Sequence, residues 1–78
     1  MTKIIHRKLG RENANGIAHL GEDKIELDSR LKGYRYLLYL IHEKCHLLHP
    51  DWSETKVIEE SRSYAQFIWK NNFRKIEK

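Results

Sequence analysis

The chain has 78 residues, 15 of them Lys or Arg against 11 Asp or Glu, a net charge of +4, and 40% hydrophobic residues. A chain of this length buries only about 60% of the surface it exposes when unfolded, which leaves room for one small core and predicts a single domain over residues 1–78. The balance of charge and hydrophobicity excludes a disordered chain, the longest apolar run, six residues from Tyr36 to Ile41, excludes a spanning helix, and one cysteine, Cys45, excludes an internal disulfide framework.

The N-terminus, Met1-Thr-Lys-Ile-Ile-His-Arg-Lys8, lacks the apolar stretch of a secretory signal, so a reducing cytoplasm is the expected setting. Lys3 to His6 reads as a short strand. Residues 16–20 and 24–28 read as two more, and Gly21-Glu22-Asp23 between them makes a hairpin turn. From Gly33 the period changes. Leu37, Leu38, Ile41, Cys45 and Leu48 recur at spacings of three and four, the pattern of a helix with one buried stripe. Pro50 disfavours helical geometry in the residue before it and ends this helix near His49. Asp51-Trp52-Ser53-Glu54 has the form of a capping box with Asp51 as N-cap. A second helix then runs to about Lys70, its narrow inward stripe being Val57, Ser61, Ala65 and Ile68, with Tyr64 and Trp69 flanking. The tail from Asn71 to Lys78 follows. The predicted class is α+β, a small antiparallel sheet followed by an antiparallel two-helix hairpin.

One motif carries chemistry. His42-Glu43-Lys44-Cys45-His46 is an HExxH sequence inside the first predicted helix. The two histidines lie one turn apart on one face, so both imidazoles can converge on one zinc ion. Glu43 is rotated away from them. It can accept a proton from a water beside the metal without ligating it. The bland alternative is a helix with two surface histidines.

Catalytic zinc usually has three protein ligands. Glu60 is the first choice for the third, because in a hairpin turning at residues 50–52 positions 42 and 46 face roughly 57 to 62. Glu54, beside the turn, is the second choice. His49 is the third, but on an unbroken helix it lies about 10 Å from His42. Tyr64, one turn after Glu60, is a candidate to hydrogen-bond a ligand, and a half-buried core aromatic is the simpler reading. Cys45 reads as a buried small hydrophobe, and His6 and His19 as isolated residues.

The segments Lys24-Ile-Glu-Leu-Asp-Ser-Arg-Leu-Lys-Gly33, Leu40-Ile-His-Glu-Lys-Cys-His-Leu-Leu-His-Pro-Asp-Trp-Ser-Glu54 and Ala65-Gln-Phe-Ile-Trp69 resemble a family of very short zincin-like proteins found mostly in phages, prophages and bacterial genomes. The layout is similar to the core of the gluzincins and to ImmA/IrrE-type and SprT-like metallopeptidases. The resemblance spans roughly residues 16–74. It implies zinc-dependent hydrolysis with His42 and His46 as ligands and Glu43 as base, and its "S-E" pattern points to Glu54. No Met-turn or extended HExxHxxGxxH pattern is present, which argues against a metzincin.

The leading expectation is a minimal zinc metallopeptidase acting on a peptide or protein, with a protein partner or a second copy completing the cleft. A zinc-stabilised protein-binding module is the alternative. Nucleic-acid binding is the weakest reading, because the basic residues are not concentrated.

Overall fold

The computed structural model describes residues 1–10 and 14–76. Strands β1 (Lys3–Arg7), β2 (Gly16–His19) and β3 (Lys24–Asp28) precede helices α1 (Gly33–Leu48) and α2 (Glu54–Lys70). The α+β class is the one the sequence predicts. The last two residues of the predicted tail lie outside the described residues.

β2 and β3 form the predicted antiparallel hairpin, Gly16 opposite Leu27 and His19 opposite Lys24. The turn is closed by the Glu22 N–H donating to the His19 carbonyl at 3.1 Å. β1 lies on the other edge of β3 and runs parallel to it, Ile4 opposite Ile25, so the strand order is β1-β3-β2. The sheet is therefore mixed, which corrects the antiparallel expectation. The reason is chain direction. A tight turn makes β2 and β3 antiparallel, and the chain that leaves β1 must reverse to enter β2. β1 then pairs in parallel with β3, and β2 itself forms part of the crossover that a parallel pair requires.

Being central, β3 is buried from Ile25 to Asp28. Alternation along the strand sends Ile25 and Leu27 to one face, where they are fully buried with Leu31 beneath Tyr36, Tyr39, Leu40 and Leu47 of α1. The other face carries Glu26. Arg7 Nε donates to its Oε1 at 2.6 Å, and His19 Nε2 lies 2.8 Å from its Oε2.

The Arg7 hydrogen bond, and then that of His19, hold the Glu26 carboxyl down at about 2 against an ordinary 4.5. A carboxyl depressed in the folded state stabilises it fully above the unfolded value and loses that contribution as pH falls through the folded value. The urea midpoint is therefore expected to fall between about pH 4.5 and about pH 2. The Glu26→Gln chain should show a flatter profile over that window. Parallel profiles for the two proteins would sink the assignment.

α1 is the middle of three layers, with the sheet on one side and α2 on the other. This corrects the single buried stripe expected of it. A central helix must present two apolar faces, so its sheet contacts (Tyr36, Tyr39, Leu40, Leu47) lie outside the predicted stripe, whereas Leu48, within that stripe, is 60% exposed. Gly33 opens the helix at φ +57°, a left-handed conformation that glycine adopts without strain.

α1 ends where Pro50 predicts, the His49 N–H donating to the Cys45 carbonyl at 2.9 Å. α2 begins later than expected. Its N-cap is Ser53, whose Oγ accepts from the Lys56 N–H at 3.1 Å. Asp51 lies in the linking turn, where the Trp52 N–H donates to the His49 carbonyl at 3.0 Å, and so it is not the cap. The buried stripe of α2 is Val57, Ser61 and Ala65, small side chains that let the helix lie close on α1, and Ile68 is half-buried. Among the described residues no helix is long and apolar enough to cross a membrane.

Candidate metal centre

His42 and His46 project from one side of α1, their ring centroids 5.0 Å apart and the rings nearly perpendicular. Across the interhelical link stands Glu54, the first residue of α2. His42 Nε2 is 3.0 Å from Glu54 Oε1, and His46 Nε2 is 3.2 Å from Glu54 Oε2. One donor atom from each residue lies within 4.8 Å of the others. Ligand atoms about 2.0–2.1 Å from a tetrahedral zinc stand roughly 3.3 Å from one another. The two histidine–carboxylate separations, one to each Glu54 oxygen, are close to that figure. Two imidazoles and a carboxylate are also a donor set that zinc takes in catalytic sites, with a fourth position open.

Local structure explains the convergence. The i, i+4 spacing stacks the histidines on one face. Pro50 stops α1 just beyond them. Ser53 then caps α2 and places the Glu54 carboxylate in its first turn, where the helix dipole favours a negative charge. Burial pushes the His42 imidazole below its ordinary value, and His46 adds to this against the opposing pull of Glu54. A neutral imidazole is the form that ligates a metal.

Glu43 does not join the cluster. It turns from the histidines toward β2 and is 7% exposed. A Cβ on Gly16 would meet Glu43 Cγ at 2.8 Å and Oε2 at 3.0 Å. Only glycine at that strand position leaves room for the carboxylate. Burial, and then the charge of Glu54, push the Glu43 carboxyl up to about 7.

The structure brings together His42, His46 and Glu54, and not Glu60. Glu60 is six residues beyond Glu54, about 120° round the helix. It stands on the side of Cys45, where its charge, after burial, raises the thiol. The window of residues 57–62 expected from the hairpin register excludes Glu54, the second choice, which stands nearer the link. His49 is engaged elsewhere, stacked on Trp52 with centroids 3.8 Å apart. Tyr64 lines a hollow with Cys45, Leu48 and Trp52 and is 54% exposed, away from the cluster. His6 and His19 both have partners, Tyr36 Oη at 2.7 Å and Glu26.

Gly16 is the residue that sequence reasoning missed. A glycine opening a strand is the available signal, because glycine inside a strand marks the close approach of another group. No protein-family model, curated protein or solved structure matches this chain.

Proposed function

We propose that the chain is a zinc-dependent peptidase of minimal size, with His42, His46 and Glu54 holding the metal and Glu43 serving as general base. The observation that carries this reading is the convergence of three ligand atoms beside a carboxylate on the same helix turn that is not a ligand. The resemblance of the HExxH segment to short zincin-like proteins supports it. When bound, zinc supplies Lewis-acid chemistry, polarising a carbonyl and making water more acidic.

The chain's own residues do the rest. Glu43, in a dry position, accepts a proton from the attacking water and passes it to the leaving nitrogen. β2 is an edge strand of the sheet, and Gly16 in it touches Glu43. An extended peptide adding to that edge lies alongside the base, held by main-chain hydrogen bonds. A partner protein or a second copy of the chain supplies the further wall that 78 residues do not.

A second reading has one observation in its favour. Glu43 is nearly buried, as expected if zinc only holds the fold together and the chain binds a protein without cutting it. Incubating a peptide library with the zinc-loaded chain and with its Glu43→Gln variant separates the two. Products that depend on Glu43 support the peptidase, and products common to both would overturn it.

Gly16 offers a more local test. Gly16→Ala forces the Glu43 carboxylate to move. Zinc affinity is expected to stay within a few-fold while turnover drops on the order of 10²-fold, the scale of a reacting group displaced by about 1 Å. Unchanged turnover would show that the contact does not position the base.

A further inference from the structure

Beside the metal ligands, α1 and α2 line a hollow in which one charge is left without a task. Its volume is about 290 Å³, at the lower end of the ~300–1,000 Å³ typical of ligand sites. Leu38, Tyr39 and His42 line it from α1, and Glu54, Ile58, Ser61 and Arg62 from α2. His42 and Glu54 belong to the metal cluster. That leaves Leu38 and Ile58 as apolar wall, the half-buried Tyr39, Ser61, and Arg62.

Glu54, Ile58 and Arg62 follow each other at spacings of four and so share one stripe of α2. Eight residues of helix rise about 12 Å, so Arg62 stands at the end of the hollow opposite the metal ligands. No carboxylate among the described residues lies within ion-pair distance of Arg62. On the α1 side Arg35 lies over the Tyr39 ring, its guanidinium carbon 6.0 Å from the centroid. This places a second cation one turn back along the same wall.

We propose that Arg62 makes this hollow a carboxylate-selective subsite, choosing substrates that carry a carboxylate within one or two residues of the bond to be cut. The inference rests on the peptidase reading. A guanidinium pairs with a carboxylate through two parallel hydrogen bonds, and the apolar wall beside it strengthens that pairing. The carboxylate comes from an Asp or Glu side chain or from a peptide C-terminus.

The probes are N-acetyl-glutamate amide, which carries a side-chain carboxylate, and N-acetyl-alanine, which carries a terminal one. Their uncharged counterparts are N-acetyl-glutamine amide and N-acetyl-alanine amide. Each is titrated into the zinc-loaded chain and followed by NMR, with zinc content measured on the same samples. At least one acid is expected to bind ten-fold or more tightly than its amide, and which one identifies the source. Arg62→Gln, on the exposed side of α2, should bring that ratio close to one with zinc content unchanged.

Equal binding of acid and amide to the unaltered chain would overturn the proposal. So would a preference that survives Arg62→Gln, because the carboxylate would then be held by the zinc or by Arg35 and not by Arg62. Failure of the peptidase reading shows separately, as an Arg62-dependent preference in a chain that cuts no peptide.

Discussion

Changing His42 or His46 to Ala is expected to leave the purified chain without zinc and to lower its melting temperature by roughly 10–20 °C. The magnitude follows from linkage. A ligand at a hundred times its dissociation constant stabilises the folded state by about 2.7 kcal/mol, and each kcal/mol shifts the midpoint of a domain this size by about 4–8 °C. Both histidines point their Nε2 atoms at one carboxylate, so removing either leaves two donors, too few to retain the ion. Chelator provides the control. It should bring the unaltered chain down by a similar amount and leave the variants where they are.

The same measurement decides the third ligand. Glu54→Gln is expected to weaken zinc by more than about a hundred-fold, beyond the 10–100-fold typical of losing a group that merely supports a ligand. Glu60→Gln, on the Cys45 side of α2, should stay within a few-fold of the original. Full zinc content in a chain lacking both histidines would place the metal elsewhere.

Glu43→Gln is expected to reduce peptide hydrolysis on the order of 10²-fold or more, the usual cost of removing a general base, while zinc content and melting temperature change little. Gln keeps the shape that packs against Gly16, and it cannot take up a proton. The position of the carboxylate explains the separation of effects: it lies on the sheet side of α1, whereas the ligands meet α2. Mass spectrometry of a peptide library reads the result. Loss of zinc in this variant would show instead that Glu43 helps to hold the metal.

The strands and helices were legible because their periods are clean. Lys24 to Asp28 alternates, and the helical segment from Gly33 is closed by Pro50. The parallel pairing of β1 was not legible, because a strand's own residues do not say which edge of a neighbour it joins. The layer position of α1 was hidden for a related reason. Tyr36, Tyr39, Leu40 and Leu47 look like flanking positions until the sheet covers them.

At the site, His42 and His46 are fixed by one helix turn, so their spacing alone predicts that they stand together. Glu54 comes from another helix, and its place depends on where α2 starts. The register of a hairpin turning at residues 50–52 points to residues 57–62 and so to Glu60, whereas Glu54 stands at the very start of α2. Gly16 offers only the weak signal of a glycine in a strand and Arg62 none, and the packing of β2 and α2 around the motif brings both into view.

The position of Glu54 at the first turn of α2, 62% exposed, would also govern how quickly an ion held there can leave. Helix ends open at little cost, far below that of global unfolding. Fraying of one turn withdraws one of the three donors while α1 and the sheet stay intact. An ion held by His42, His46 and Glu54 is therefore expected to exchange at the rate set by a helix end and not by the fold, as metal-exchange kinetics compared with global hydrogen exchange would read. The Ser53 hydroxyl, worth about 1 kcal/mol as a cap, acts as the latch on that process and holds the open fraction down by about five-fold.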